Sequence, residues 1–385
     1  MTGLLGFSSG LPLYVTGQTL RAWMTAIDVD LRTIGVFSLV GLPYALKWAW
    51  APVFDRYQLP FLGRRRGWLL VTQLALIAAT IAMGTLDPRT APGALAAAAV
   101  VVSFVAASQG LVIDALNADS LAPDERTAGS AAFIMGFKLG MLTTGALALA
   151  LADRLPWGTI YALLAALLSI GIVGTALARE PVVVPPPSVG VALRTPFARL
   201  LSAPRAGVML LFVGIYRLSD FFGSVMVIPY LKLEVGFTFP EIAVLYHVLG
   251  FCGTLIGGVF GSQLVTRYGL RRCLIAFGLF QGLTNLGWGL LGCFDRSLAA
   301  LALVVMFDEI AGAMTGAVFV GFLMSRCDRS VSATQFALLT SLSSVGMHVF
   351  GFAAARLAGF SWPMFWVTSA ALVIPGVLLV PRLPD

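Results

Sequence analysis

About a dozen apolar runs, each roughly 20 residues long, follow one another along this chain and are separated by short polar segments. An α-helix needs about 20 apolar residues to cross the hydrocarbon core of a bilayer. Hydrophobic residues make up 58% of the 385 residues and charged residues only 11%, which is too few to cover a water-soluble domain of this size. The runs are continuous rather than alternating, which excludes a transmembrane β-barrel. We therefore expect an all-α membrane protein.

The runs predict twelve membrane helices in two sets of six. The first set covers residues 3–25, 33–54, 67–86, 94–117, 127–152 and 158–178, and the second covers 206–231, 240–265, 273–293, 298–324, 331–355 and 361–380. Residues 179–205 hold six prolines and four arginines, a composition typical of an extended, solvated linker. The predicted domains are a bundle at 1–178, a linker at 179–205 and a second bundle at 206–385.

The basic residues indicate how the chain is oriented. The net charge is +7, but the arginines concentrate in the linker and in the loops on one side of the predicted helices. The opposite loops carry only Arg32, Arg89, Arg154, Lys232, Arg296 and Arg356. Because cytoplasmic loops are enriched in Lys and Arg, we expect the linker and both termini to be cytoplasmic. The charge thus reports orientation, and nucleic acid is not an expected partner.

Two loops carry a related charge pattern. Asp55-Arg56-Tyr57 and Gly63-Arg64-Arg65-Arg66 follow the second run, and Arg267-Tyr268-Gly269-Leu270-Arg271-Arg272 follows the eighth. An acid beside a tight basic turn can hold the cytoplasmic ends of helices in one conformational state and release them in another. Asp55, Arg56, Arg64 and Arg65 are therefore predicted gating residues. The alternative is that the arginines only fix the topology.

Ionisable side chains inside the runs are candidates for function, because charge within a bilayer is costly. Asp114 lies on a polar face of the fourth run, and we predict a role in proton coupling or substrate contact. Asp308 and Glu309 are neighbours and cannot share one helix face, so one of them is the second predicted proton carrier.

Other polar residues in the runs are predicted to bind substrate. They are Lys47, Gln109, Lys138, Arg217, Asp220, His247, Gln281 and Asn285. Arg217 and Asp220 are three residues apart, so a mutually neutralising structural pair is an equal alternative. A lone membrane histidine is as often a hydrogen-bonded helix contact.

The chain shows none of the motifs of an ATP-driven or metal-dependent protein. The sequence holds no glycine-rich phosphate loop, no HExxH and no CxxC pair. We therefore expect no cofactor, no bound metal and no enzymatic activity, and gradient-driven transport remains. A membrane receptor or scaffold is disfavoured, since it has little need of charged helix interiors.

Several short motifs together are specific. They are Ser9-Gly10-Leu11-Pro12-Leu13, Ala22-Trp23-Met24-Thr25, Gly63-Arg64-Arg65-Arg66-Gly67-Trp68, Ser108-Gln109 with Asp114-Ala115, and Ser332-Ala333-Thr334-Gln335-Phe336. On these motifs the chain resembles the AmpG family of muropeptide permeases, within the major facilitator superfamily, along nearly its whole length. The resemblance implies the two-bundle fold of that superfamily and proton-driven import of anhydromuropeptides for cell-wall recycling, with substrate, protons and lipid as partners of a monomer.

The chain also departs from that family's pattern. Gly110, His247 and Met347 stand where an acid, a lysine and an arginine are expected, and additional C-terminal hydrophobic segments are missing. Altered charges in a shorter paralogue leave a second candidate open, an iron–siderophore import permease of the FptX/RhtX type.

Overall fold

The structure is a computed structural model that describes residues 1–120, 126–180, 201–202, 205–293, 295–326 and 332–383. The side chains of Asp55, Ala118, residues 126–128, 130–131 and 332–337, and Met347 lie outside the description. The regular secondary structure of the described residues is entirely helical, with no β-strand among them.

Ten α-helices precede the predicted linker: α1 Thr2–Val15, α2 Gln18–Ala26, α3 Leu31–Val36, α4 Leu42–Leu46, α5 Ala51–Arg56, α6 Arg64–Gly84, α7 Pro92–Ser120, α8 Arg126–Leu151, α9 Trp157–Leu168 and α10 Ile170–Ala176. Ten more follow it: α11 Ala206–Ile215, α12 Leu218–Pro229, α13 Phe239–Ile242, α14 Gly250–Tyr268, α15 Leu270–Leu291, α16 Leu298–Ser325, α17 Ser332–Val349, α18 Gly351–Ala358, α19 Trp362–Ala371 and α20 Val373–Leu379. Within the described part of the chain, ten continuous helical segments are long and apolar enough to cross a membrane. The helices between Thr2 and Arg56 are shorter pieces and account for the first two predicted spans.

Interruptions within spans have local causes. Thr16 and Gly17 separate α1 from α2, and both the backbone N–H and the hydroxyl of Thr16 donate to the Pro12 carbonyl at the end of α1. Pro229 ends α12, and a π-helix follows at Tyr230–Glu234; a second π-helix covers Ala243–Leu249. Single π-turns inside membrane helices are often functional sites.

The chain forms two compact units. Unit 1 comprises Met1–Ile27 and Val40–Arg194, and unit 2 comprises Asp28–Leu39 and Thr195–Asp385. Residues 28–39, from the second predicted span, therefore pack within unit 2. Most of the predicted linker lies outside the described residues, and the domain boundaries stay a prediction.

Close helix contact through glycine holds unit 1 together. A Cβ added at Gly6 or Gly10 of α1 would overlap the backbone of Phe133 or Phe137 in α8. A Cβ at Gly140 would in turn overlap the backbone of α1. Since lipid is as apolar as a leucine side chain, membrane helices associate through such close packing rather than through burial from water.

Helices of unit 2 also pack closely at glycine residues. Gly250, Gly253, Gly257 and Gly261 form one buried face of α14 against α16. The segment 28–39 also docks through small residues, since a Cβ at Gly35 would overlap Ala355 of α18. Asp30 caps the start of α3, and its hydrogen bonds from Thr33 lower the pKa of the Asp30 carboxyl.

Candidate functional site

Unit 1 places one predicted proton carrier beside a predicted substrate ligand. Lys47 Nζ lies 3.8 Å from Asp114 Oδ2, and the Asp114 side chain is 58% exposed. On the same helix as Asp114, the Ser108 hydroxyl accepts a hydrogen bond from the Trp50 indole at 3.1 Å. A carboxylate this accessible, within a span and next to a single lysine, can exchange a proton with water that enters the unit.

Gln109 points elsewhere. Its side chain is 1% exposed, and its amide nitrogen donates to the Ser8 hydroxyl at 3.1 Å. A second buried amide, Gln73, accepts from the Thr175 hydroxyl at 3.0 Å. The buried position of Gln109 favours helix packing over substrate contact, and its binding role stays a prediction. Lys138 lies half-buried on α8.

The predicted gating arginines lie at the start of α6. Arg65 Nε donates to Asp119 Oδ2 at 3.0 Å, and this pair is largely buried. The backbone N–H groups of Arg65 and Arg66 donate to the two carboxylate oxygens of Glu180 at 2.8 and 2.9 Å. Glu180 thus occupies the positive end of the α6 dipole and joins it to the end of the sixth span.

Asp119 and Glu180 did not emerge from the sequence. Their signal was available, since each is an acid just after the end of a predicted span with a basic turn nearby. Arg64 is buried and Arg56 exposed, and the side chain of Asp55 lies outside the described residues. Gating by these residues remains a prediction.

In unit 2, Arg217 and Asp220 form an ion pair at the start of α12. The Arg217 guanidinium also lies over the Phe221 ring, 4.8 Å from its centroid. Each charged side chain is about a quarter exposed, at 27% and 24%. The pair is compatible with both a structural and a substrate-binding role.

Asp308 and Glu309 turn to different helices. Asp308 Oδ1 accepts from Gln281 Nε2 at 2.9 Å and from the Thr284 hydroxyl at 2.8 Å, both on α15. Glu309 Oε2 accepts from the Thr254 hydroxyl of α14 at 2.8 Å. Asp308 therefore shares a polar cluster with Gln281, a predicted substrate ligand, while Glu309 contacts α14.

The remaining predicted ligands of unit 2 are buried. Asn285 Nδ2 donates to the Ser219 hydroxyl at 2.7 Å, and Ser219 and Ser369 exchange hydroxyl-to-carbonyl hydrogen bonds. These contacts tie α12, α15 and α19 together. His247 is 6% exposed in the second π-helix, against the Tyr246 ring.

With this geometry in place, comparison with known proteins identifies the family. The model of the Major Facilitator Superfamily matches residues 2–351. The chain belongs to the Major Facilitator Superfamily. The solved nucleoside transporter NupG superposes with a TM-score of 0.78 over 99% of this chain and 97% of its own, at 13% sequence identity, which supports the fold alone.

Two relatives refine the placement within the superfamily. The protein named "Anhydromuropeptide permease" of Escherichia coli is 43% identical over 98% of this chain and 78% of its own length. "Putative transporter AmpG 4" of Rickettsia felis is 28% identical over 98% of this chain and 94% of its own. The resemblance to the AmpG family is confirmed, as is the all-α fold with about twelve membrane helices. The chain is a multi-pass membrane transporter rather than an enzyme.

Proposed function

We propose that this transporter imports anhydromuropeptides across the bacterial inner membrane in symport with protons, for cell-wall recycling. The observation that carries the proposal is the 43% identity to the E. coli permease, which extends over 98% of this chain. Such similarity over the full bundle covers the helices that hold the charged residues, and not only a common scaffold. It favours a muropeptide over an iron–siderophore complex as the substrate.

Proton coupling is supported by the carboxylates within the spans. Asp114 lies beside Lys47, and Asp308 sits in a cluster of hydroxyl and amide donors. A charged group at the centre of a membrane helix costs about 3 kcal/mol, so carboxylates that can take up a proton suit a carrier. Glu309 is less suited, since it serves the contact between α14 and α16.

The orientation and organisation follow from the sequence. The arginine excess supports a cytoplasmic position for residues 179–205 and both termini. We infer bundles at 1–178 and 206–385 of the alternating-access kind that duplicated bundles form in secondary transporters, with a monomer as the working unit.

Uptake in whole cells tests the proposal. Cells that lack other muropeptide permeases, and that express this protein, should accumulate radiolabelled anhydromuropeptide and lose the accumulation when a protonophore is added. Radioactive iron delivered with siderophores serves as the competing cargo. Accumulation of iron but not of muropeptide would replace the proposed substrate with the alternative one.

A further inference from the structure

The buried side-chain amide of Gln281 in α15 is hydrogen-bonded through its nitrogen and, within the described part of the chain, unpaired at its oxygen. Gln281 is 2% exposed, and its amide nitrogen donates to Asp308 Oδ1 at 2.9 Å. Its amide oxygen, Oε1, is buried without a hydrogen-bond partner among the described residues. A buried acceptor without a hydrogen-bond partner destabilises the folded protein until a donor reaches it.

The unpaired oxygen faces α16 near two glycines, Gly312 and Gly316. A Cβ added at Gly312 would lie 3.5 Å from Gln281 Oε1. Gly316, one turn further on, would carry a Cβ with no described atom within 4 Å. Asp308, Gly312 and Gly316 are spaced four residues apart and so share one helix face. The amide oxygen therefore points at a part of α16 that carries no side chain.

The charge state of Asp308 dictates which end of the amide faces this space. An ionised carboxylate accepts hydrogen bonds and cannot donate, so Gln281 must turn its NH₂ group to Asp308 and its oxygen to Gly312. A protonated Asp308 gains one O–H donor, which the amide oxygen can accept. Rotation of the amide by half a turn then satisfies that donor and presents the NH₂ group over Gly312.

The Thr284 hydroxyl keeps a hydrogen-bond acceptor whether Asp308 is ionised or protonated. Its hydroxyl lies 2.8 Å from Asp308 Oδ1 and 2.9 Å from the Gln281 carbonyl oxygen one turn earlier in α15. The single hydroxyl hydrogen can serve either acceptor. It can support the ionised carboxylate and return to the helix carbonyl when Asp308 is protonated.

The charges around the cluster belong to several elements. Asp220 of α12 is a charged neighbour of Asp308 and is itself paired with Arg217. Glu309 of α16 is turned to Thr254 of α14, and His247 lies buried in the π-helix that packs on α16.

We propose that Gln281 is a proton-controlled switch in the substrate site, which offers an N–H donor over Gly312 when Asp308 is protonated and an oxygen acceptor when Asp308 is ionised. The group it binds in the protonated state is a carbonyl or carboxylate oxygen of the substrate, such as a peptide carbonyl. This inference rests on the proposed muropeptide transport. It explains how one proton favours binding on the acidic side of the membrane and release on the other.

Binding to the purified full-length protein tests the switch. The dissociation constant for labelled anhydromuropeptide, measured at an acidic and an alkaline pH, should be about tenfold lower at the acidic pH, since a repulsive contact becomes a hydrogen bond. Gln281→Leu should remove this pH dependence. The matched control is Thr315→Val, which deletes another buried hydroxyl between α15 and α16, where Thr315 donates to the Phe277 carbonyl. A Gln281→Leu protein that keeps the tenfold difference would overturn the switch.

Infrared difference spectroscopy of the ligand-free protein separates the switch from the proposed function. Titration should shift a glutamine amide carbonyl band in step with the appearance of a protonated carboxyl band, and both changes should vanish in Asp308→Asn. If the amide band does not move while the carboxyl titrates, the switch is wrong. If the infrared changes occur but the wild-type protein binds no muropeptide, the proposed substrate is wrong instead.

Discussion

Asp114 is the most exposed carboxylate among the predicted proton carriers, and Lys47 is its ionic partner at 3.8 Å. Replacement by asparagine keeps the shape of the side chain and removes its ability to exchange a proton. We expect Asp114→Asn to lose proton-driven accumulation at least about tenfold while substrate exchange without a gradient persists. Asp153→Asn, an exposed site between α8 and α9, is the control and should transport normally. Full accumulation by Asp114→Asn would remove Asp114 from proton coupling.

The Arg217–Asp220 pair allows a charge-swap test. Arg217→Ala and Asp220→Ala each leave a partly buried charge without its ionic partner. Each should therefore lower the free energy of unfolding in detergent by about 1–3 kcal/mol. Each should also reduce uptake. Arg217→Asp combined with Asp220→Arg restores the pair in reverse and should recover much of the stability. Recovery of uptake as well would assign the pair a structural role, whereas stability without uptake would assign it to the substrate.

At the scale of residues, the sequence identifies the charged side chains within the spans but not the side chains that they contact. Asp308 and Arg217 stood out because ionisable groups are rare in apolar runs. Thr284 did not, because hydroxyl residues are common in membrane helices and most of them donate to their own helix. Only the packing of α15 on α16 shows that its hydroxyl reaches Asp308.

At the scale of elements, the contact between α1 and α8 offers a direct stability test. A Cβ at Gly10 would overlap the carbonyl of Phe137, which is backbone and cannot move alone. Gly10→Ala should therefore lower the free energy of unfolding by about 1–3 kcal/mol, measured as a lower melting temperature of the purified protein. Gly207→Ala in α11, where a Cβ meets no described atom within 4 Å, should be neutral or stabilising by up to about 1 kcal/mol. Equal melting temperatures for the two variants would contradict the packing described here.

The start of α6 gives a second test at this scale. Glu180 accepts two backbone hydrogen bonds at the positive end of the helix dipole. Glu180→Ala should cost about 1–2 kcal/mol of stability, by analogy with the loss of a helix cap. Arg179→Ala changes the exposed neighbour and is the matched control. If the two variants melt alike, the Glu180 contact does not stabilise the fold.

The sequence located most elements to within a few residues, because the hydropathy of a span is set by the bilayer. The third span was predicted at 67–86 and is α6 at Arg64–Gly84; the tenth was predicted at 298–324 and is α16 at Leu298–Ser325. The interruptions were not predicted. The break at Thr16–Gly17 and the π-helix after Pro229 lie inside apolar runs, where hydropathy carries no information on backbone hydrogen bonding.

The whole molecule is a member of the Major Facilitator Superfamily. It has a carboxylate within a span in each half of its sequence, at Asp114 and at Asp308. The docking of residues 28–39 within unit 2 shows that the contact units do not follow the chain in simple order. That arrangement depends on the fit of Gly35 against Ala355, which no composition argument could supply.

Transport by the purified protein in liposomes tests the central claim most directly. With the lumen less acidic than the medium, labelled anhydromuropeptide should accumulate above its external concentration, and the accumulation should collapse when a protonophore is added. Liposomes that contain Asp114→Asn protein should fail to accumulate it. Equilibration without accumulation would contradict proton coupling, and no uptake of muropeptide by active protein would contradict the proposed function itself.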